Sequence, residues 1–262
     1  MPYFNNEGVK IYYEIEGSGP DLIMIHGFAA SIDMNWRISN WIKVLSEENR
    51  LILIDCRGHG KSDKPTDPAQ YGVKMLDDVI KLMDHLSIQK ANFFGYSMGS
   101  RITLYTLLNN PERVNCAILG GFVLPPPSDK QTSFRYDSVI DAFEAESLKQ
   151  VKDPVGKEFR RFAESTGADL KALAAVMKAY QLDPEDTYAT RAGYKRILKK
   201  IKVPVLTVVG SDDFLPGDKL LIAKLVPNAC HFQIQGRDHL TVVPDPKFHM
   251  IVKAFLKYVN NL

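Results

Sequence analysis

The stretch that decides the fold is Asn92-Phe93-Phe94-Gly95-Tyr96-Ser97-Met98-Gly99-Ser100, in which a serine stands between two glycines in the pattern G-x-S-x-G. A short pattern of this kind is weak evidence by itself, because it also arises by chance. Its surroundings make it strong: the apolar run of residues 91–94 leads into it, and a helical pattern over residues 101–105 leads out of it. A strand, a sharp turn and a helix together expose a serine hydroxyl at the edge of a sheet. The segment therefore predicts Ser97 as a nucleophile.

The two glycines of this turn have a steric reason. The turn brings its ends so close together that a Cβ atom at Gly95 or Gly99 would collide. Ser97 is then expected to have a strained backbone conformation that projects its hydroxyl above the sheet. The helix that begins at Met98 directs unpaired N–H groups and the positive end of its dipole toward this hydroxyl.

Acyl transfer needs two N–H donors aimed at the negative oxygen that develops in the transition state. Met98 N–H, at the start of the helix, is the first candidate. The loop His26-Gly27-Phe28 follows the apolar run of residues 22–25 and offers the second, Phe28 N–H, because Gly27 lets the backbone approach the site. His26 lies farther back toward the strand, so we expect it to have a structural hydrogen-bonding role.

Along the whole chain, short β-rich runs alternate with longer helical patterns, which predicts an α/β fold with a mostly parallel central sheet and helices on both faces. The runs cover residues 9–15, 22–25, 51–54, 91–94, 114–119, 205–209 and 231–234, and the helical patterns cover residues 36–45, 73–86, 98–108, 219–225 and 246–259. Glycines and polar residues cluster where the runs end, and this carboxyl edge is where open α/β sheets bind ligands.

One region breaks the alternation. Residues 122–200 contain no convincing strand, but they contain a Pro125-Pro126-Pro127 hinge followed by helical patterns over residues 138–151, 157–165, 169–181 and 188–199. We interpret this region as a helical cap, or lid, inserted between two strands of the sheet. The predicted division is therefore a core of residues 1–121 and 201–262, with a cap of residues 122–200.

Six histidines compete for the role of general base. His239 is selected because it lies on a loop after the last predicted strand, from which an imidazole can reach across the sheet edge to Ser97. The others lie on predicted strands and helices or in glycine-containing turns that we expect to shape the site without doing chemistry: His26, His59, His85, His231 and His249.

A carboxylate must hold the tautomer of that imidazole and stabilise its charged form. The loop after the run of residues 205–209 is Gly210-Ser211-Asp212-Asp213-Phe214-Leu215-Pro216, so two aspartates are available. One is expected to face His239 and the other to cap the following helix. The order serine, aspartate, histidine along the chain is the order that this kind of site requires.

Composition argues against several other classes of protein. The chain has 262 residues, 45% hydrophobic and 24% charged, which is typical of a globular domain with a deep core. A net charge of +2 without a long basic block does not favour nucleic-acid binding. The three cysteines have neither zinc-ligand spacing nor a paired framework. Without a signal-peptide pattern or a run long enough to span a membrane, we expect a cytoplasmic protein; no feature indicates a metal, a cofactor or an oligomeric state.

On these residues the sequence resembles the α/β-hydrolase superfamily, and within it the carboxylesterases that have a helical lid. The matching segments run almost from end to end: residues 26–28, 55–62, 95–99, 210–216 and 236–239. The predicted cap carries no matching motif. The resemblance implies an α/β-hydrolase fold and a Ser-His-Asp triad that acts without a metal or cofactor.

The resemblance gives two answers for the triad acid. In the family the acid usually lies three residues after the glycine that ends the strand, which selects Asp213. A proline usually follows the acid by four residues, however, and measured back from Pro216 that spacing selects Asp212. Asp213 is the preferred assignment and Asp212 the alternative.

The same resemblance narrows the chemistry. Haloalkane dehalogenases and epoxide hydrolases have an aspartate where this chain has Ser97. Carbon–carbon bond hydrolases and cofactor-free haloperoxidases usually have proline-containing loops after the first His-Gly, where this chain has Phe28-Ala29-Ala30-Ser31. We therefore expect a carboxylesterase whose partner is a small to medium, largely apolar ester. The alternatives are the same triad acting on C–C bonds, lactones or amides or in perhydrolysis, and a non-enzymatic ligand receptor with this fold.

Overall fold

The computed structural model describes residues 2–123, 136–182 and 197–261. Within them the chain forms an eight-stranded sheet of order β1-β2-β4-β3-β5-β6-β7-β8. The strands are β1 (Tyr3–Asn6), β2 (Val9–Glu16), β3 (Asp21–Ile25), β4 (Arg50–Ile54), β5 (Ala91–Tyr96), β6 (Val114–Gly120), β7 (Val205–Gly210) and β8 (Ala229–Ile234). Strands β1, β2 and β4 pair antiparallel and all the other pairs are parallel. The predicted α/β fold with a mostly parallel sheet is confirmed.

The continuous apolar runs form strands because the middle of this sheet is covered on both faces. In β3, Ile23 and Ile25 belong to one hydrophobic cluster, whereas Leu22 and Met24 belong to the other. All four are fully buried. Alternating residues of a strand point to opposite faces, so a strand with helices on both sides must be apolar throughout.

The helices surround this sheet. The α-helices of the described residues are α1 (Trp41–Leu45), α2 (Val73–His85), α3 (Met98–Asn109), α4 (Tyr136–Glu144), α5 (Pro154–Thr166), α6 (Leu170–Leu182), α7 (Leu221–Leu225) and α8 (Pro246–Asn260). The helix predicted over residues 36–45 begins only at Trp41, because Asn40 before it has a left-handed backbone with φ 65°. A short π-type turn, Asp33–Arg37, precedes it.

Among the described residues, three helices of the predicted cap region, α4, α5 and α6, lie between β6 and β7. Helix α4 ends at Glu144, whereas the sequence predicted a helix to residue 151; a short 3-10 turn, Leu148–Gln150, follows instead. Helices α5 and α6 match the patterns at 157–165 and 169–181 to within a few residues. The proline hinge and most of the pattern at 188–199 lie outside the described residues, and the boundaries at 122 and 200 stay predictions.

The turn after β4 holds the loop after β3 in place. The Asp55 carboxylate accepts hydrogen bonds from Ile32 N–H and from Lys61 N–H, both at 2.7 Å. A Cβ atom at Gly60 would lie 2.1 Å from that carboxylate, so the tight turn requires glycine there. Nearby, Arg57 and Asp78 form a buried ion pair with an N–O distance of 2.6 Å. The bond from Ile32 N–H to Asp55 ties the loop that carries Phe28 to this turn.

Among the residues that the structure describes, no helix is both long and apolar enough to cross a bilayer.

Candidate active site

Ser97 occupies the sharp turn between β5 and α3. Its φ of 51° and ψ of −110° are unfavourable for a residue with a Cβ atom. Ser97 N–H donates to Gly120 O at 2.8 Å, and this bond to the neighbouring strand helps to hold the strained backbone.

The two glycines are required for different reasons. A Cβ atom at Gly95 would lie 2.2 Å from Gly99 O, the collision across the turn that the sequence predicted. A Cβ atom at Gly99 would instead lie 1.9 Å from Ile25 O, on the neighbouring strand β3. Gly99 therefore lets helix α3 approach the end of β3, where the loop with Phe28 begins.

The three residues predicted as a triad meet in space. His239 Nε2 lies 2.9 Å from Ser97 Oγ, and His239 Nδ1 lies 2.9 Å from Asp213 Oδ2. His239 and Asp213 are each 7% exposed, so water hardly competes for their hydrogen bond. One imidazole thus bridges an alcohol and a carboxylate, the geometry of a Ser-His-Asp triad.

The structure brings Asp213, and not Asp212, to the imidazole. Leu215 N–H donates to the second carboxylate oxygen of Asp213 at 3.0 Å, which fixes the carboxylate plane. Asp212 is exposed and accepts a hydrogen bond from the hydroxyl of Ser211. The expectation that it caps the next helix is wrong, since α7 begins after Leu220.

Tyr96 is a site residue that the sequence analysis did not identify. Its hydroxyl donates a hydrogen bond to the backbone carbonyl of His239, and burial raises the pKa of Tyr96 well above its ordinary value. The residue before the candidate nucleophile therefore fixes the loop that carries the candidate base. Gly121 leaves room for this contact, because a Cβ atom there would lie 2.6 Å from the Tyr96 hydroxyl. The one sequence signal for this role of Tyr96 is its position directly before Ser97 in the chain.

Replacing Tyr96 by phenylalanine is expected to lower kcat for any substrate that reacts at Ser97 by roughly three- to tenfold, with little change in KM. Loss of one buried hydrogen bond costs about 1 kcal/mol, and here the loss loosens His239. The matched control is Tyr71→Phe, because the Tyr71 hydroxyl also donates to a backbone carbonyl, that of Pro65, at 2.6 Å. Equal kcat losses in the two variants, measured by steady-state kinetics, would contradict the assignment.

The two predicted oxyanion donors lie beside Ser97. A Cβ atom at Gly27 would be 3.5 Å from the Ser97 Cβ, so the loop that carries Phe28 passes directly over the serine. Met98 is the first residue of α3 and its N–H points out of the helix end. Within the described residues neither Phe28 N–H nor Met98 N–H has a hydrogen-bond acceptor. As far as the described part of the chain goes, both N–H groups are available to an oxygen of a reacting group.

Two further histidines are buried behind this loop and stay neutral. Burial lowers the pKa of His26 to about 4 and that of His59 to about 3. Their ring centroids are 5.3 Å apart, and the His59 ring packs edge-on against Phe28 at 5.7 Å. His26 makes two hydrogen bonds to the backbone, as expected of a structural histidine, and the part of His59 in shaping the site stays a prediction. The other candidates have partners elsewhere: His85 contacts Tyr13, His231 contacts Thr207 and His249 contacts Trp41.

These low pKa values predict that acid destabilises the fold. In the unfolded chain a histidine binds a proton near pH 6.5, whereas His59 in the folded chain does so only near pH 3. The contribution of neutral His59 to the free energy of unfolding is therefore fully present above about pH 6.5. It decreases as the pH drops, and at pH 4.5 the loss is roughly 2 to 3 kcal/mol. Urea unfolding at pH 7 and 4.5 measures the effect. The His59→Leu variant should lose less stability than wild type; an equal loss would refute this prediction.

No three His, Cys, Asp or Glu side chains of the described ranges are grouped so that they could hold a metal ion. The site offers an alcohol, an imidazole, a carboxylate and two backbone N–H groups that have no acceptor among the described residues, all at the carboxyl edge of a parallel sheet. A serine on a strained strand-to-helix turn of such a sheet is the architecture of the α/β hydrolases.

Comparison with known proteins leads to the same family. The family model described as alpha/beta hydrolase fold matches residues 20–246, and the chain belongs to this family. A Bacillus subtilis (strain 168) protein with the provisional name 2-succinyl-6-hydroxy-2,4-cyclohexadiene-1-carboxylate synthase is 31% identical over an alignment of 273 positions, gaps included, that covers 96% of each chain.

Solved structures share the fold. A hydrolase from Pseudomonas aeruginosa PA01 superposes with a TM-score of 0.78 at 23% identity, covering 97% of both chains. The enol-lactonase from Burkholderia xenovorans LB400 superposes with a TM-score of 0.77 at 22% identity, covering 98% of this chain and all of its own.

Proposed function

We propose that this chain is a serine hydrolase that cleaves carboxylic esters through a covalent acyl-enzyme. The observation that carries the proposal is the continuous chain of two 2.9 Å contacts from Ser97 through His239 to Asp213. In the proposed roles, Ser97 is the nucleophile, His239 the general base and Asp213 the acid behind it.

In the acylation step, Ser97 Oγ attacks the ester carbonyl while its proton passes to His239 Nε2. The carbonyl oxygen becomes an oxyanion and accepts hydrogen bonds from Phe28 N–H and Met98 N–H. The Asp213 carboxylate stabilises the imidazolium that forms, through its bond to Nδ1. The tetrahedral intermediate then collapses, the C–O bond to the alcohol breaks, and His239 gives its proton to the leaving alkoxide.

In the deacylation step, water takes the place of the alcohol. His239 removes a proton from the water as it attacks the acyl carbonyl, and the same two N–H groups bind the second oxyanion. Collapse expels Ser97 Oγ, which recovers its proton from His239, and the carboxylic acid leaves. Every proton that moves in the two steps is held in turn by one imidazole.

The surroundings of the site favour a largely apolar ester of small to medium size. Phe28 packs against the cap residues Phe143 and Phe159, with ring centroids 5.9 and 6.2 Å away. Phe214, next to Asp213 in the chain, is 60% exposed and lies edge-on to the His239 ring at 5.5 Å. Aromatic groups thus lie near the base and near the loop of residues 26–28, which carries the proposed donor Phe28 N–H and is called the oxyanion loop. We propose residues 122–200 as the cap over a core of residues 1–121 and 201–262.

A second candidate uses the same triad on another bond, such as a C–C bond, a lactone or an amide. The Bacillus subtilis relative favours this candidate. That protein matches over nearly its whole length, and its name denotes a synthase of a cyclohexadiene carboxylate and not an ester hydrolase. In this case His239 and Ser97 would keep their proton-transfer roles, and the bond broken would differ.

The experiment has two parts. A fluorophosphonate probe is expected to modify Ser97, identified by peptide mass spectrometry, and p-nitrophenyl butyrate is expected to be hydrolysed with a burst of nitrophenol. Labelling of Ser97 without ester turnover, together with turnover of a lactone, an amide or an activated C–C substrate, would favour the second candidate. Labelling together with a burst and near-zero turnover of every substrate would favour a receptor. Absence of labelling at Ser97 would overturn the serine-hydrolase proposal.

A further inference from the structure

His26 is fully buried in the oxyanion loop, and the mechanism above gives it no role. Its two ring nitrogens have different partners. Nδ1 lies 2.7 Å from the carbonyl oxygen of Gly27, the next residue in the chain. Nε2 lies 3.0 Å from the backbone nitrogen of Cys56, in the turn after β4.

These two partners determine where the proton of His26 resides. A backbone N–H only donates, so Nε2 must accept from Cys56 N–H and carries no proton. A carbonyl only accepts, so Nδ1 must carry the proton and donate it to Gly27 O. Burial, which lowers the pKa of His26 to about 4, keeps the ring in this single neutral form at neutral pH.

The carbonyl of Gly27 and the N–H of Phe28 belong to the same peptide group. That group is planar and its C=O and N–H point in opposite directions, so a donor that fixes the carbonyl oxygen also fixes the direction of the N–H. A hydrogen bond to the carbonyl further polarises the group and makes its N–H a stronger donor. In the proposed function Phe28 N–H is an oxyanion donor. A side chain that holds Gly27 O therefore also determines how well this N–H stabilises the transition state.

We propose that His26 is a positioning residue for catalysis: held in one tautomer by Cys56 N–H, it aims and polarises the Gly27–Phe28 peptide toward the oxyanion. The inference rests on the proposed function and deepens it.

The contacts of the neighbouring residues explain why His26 is the residue that orients the Gly27–Phe28 peptide group. Asn35 Oδ1 accepts from Gly27 N–H at 2.8 Å, which fixes the preceding peptide but not the one that contains Phe28 N–H. Ala30 N–H also approaches Gly27 O, at the longer distance of 3.3 Å. His26 Nδ1 is the nearer of the two donors to Gly27 O, and its ring is anchored by a different element of the fold.

Two variants separate positioning from packing. His26→Asn keeps an amide donor near the place of Nδ1 and loses the acceptor for Cys56 N–H. His26→Gln keeps an acceptor near the place of Nε2 and loses the donor to Gly27 O. Both replace a buried ring by a smaller polar side chain, so a purely structural role predicts similar losses in the two variants.

We expect His26→Gln to lower kcat for p-nitrophenyl butyrate by about 10²-fold, the lower end of the cost of losing an oxyanion donor, with KM nearly unchanged. His26→Asn should retain kcat within about fivefold. Affinity for a boronic acid, whose adduct with Ser97 mimics the tetrahedral intermediate, should fall in parallel with kcat. Equal kcat in the two variants, or a change confined to KM or to the unfolding temperature, would overturn the positioning role.

A measurement on the wild-type protein keeps the test decisive if a variant does not fold. Nitrogen-15 NMR of the histidine side chains should show Nδ1 of His26 protonated and Nε2 unprotonated, and the Phe28 amide proton should shift downfield when the boronic acid binds. A proton on Nε2, or an unmoved Phe28 amide, would refute the inference. If wild type neither hydrolyses esters nor reacts with a fluorophosphonate, the proposed function fails instead, and the tautomer measurement still decides the state of His26.

Discussion

Replacing Ser97 by alanine is expected to lower kcat for p-nitrophenyl butyrate by a factor on the order of 10⁴ or more, the loss typical of a serine nucleophile removed from a triad. The substitution deletes only the hydroxyl oxygen that lies 2.9 Å from His239 Nε2. Acyl-enzyme formation at Ser97 then becomes impossible, while the proposed oxyanion donors, Phe28 N–H and Met98 N–H, remain. Steady-state kinetics with the purified variant measure the loss, and burst kinetics should show that the nitrophenol burst has disappeared.

The neighbouring Ser100 provides the control. Its hydroxyl lies one helical turn away and shares its single proton between Gly95 O and Gly120 O, at 2.7 and 2.8 Å. Ser100→Ala therefore removes a hydrogen-bonding group from the same turn without removing the nucleophile. We expect that variant to lose some stability and to remain reactive toward a fluorophosphonate. A Ser97→Ala variant that turned over the ester at the wild-type rate would eliminate the acyl-enzyme mechanism.

The parts of the fold that sequence predicts well are those where one local cause determines the structure. A run such as Leu22–Ile25 is apolar at every position because both faces of β3 are covered, and this leaves little choice but a central parallel strand. The turn at Ser97 is equally constrained, since Gly95 avoids the collision with Gly99 O. In both cases the physical reason lies within a few residues of the pattern.

Prediction fails where the cause is distant along the chain. The requirement for glycine at 99 comes from Ile25 O, more than 70 residues away in sequence, and the bond from Tyr96 to the His239 carbonyl spans 143 residues. Strand β1 was not predicted either, because it is short and pairs at the sheet edge with β2. A short sequence pattern does not identify contacts between residues that are so far apart along the chain.

The choice between two adjacent aspartates shows the same limit at the site itself. The sequence places both at the end of β7, and adjacent residues point in different directions. A shift of one position along the chain therefore decides which of the two carboxylates contacts the imidazole and which is exposed to water. In the structure the neighbours resolve it: Leu215 N–H holds the Asp213 carboxylate, whereas Asp212 bonds to Ser211 at the surface.

Replacing Asp213 by asparagine is accordingly expected to lower kcat by about 10⁴-fold, as the loss of the triad carboxylate does elsewhere. The amide keeps the size of the side chain but can no longer stabilise an imidazolium, and its NH₂ group can favour the wrong tautomer of His239. Asp212→Asn makes the same chemical change one residue away, so it is the matched control and should retain kcat within about threefold. Rate measurements on the two variants decide between them: a large loss in Asp212→Asn with Asp213→Asn nearly intact would reverse the assignment, and small losses in both would mean that His239 works without a carboxylate partner.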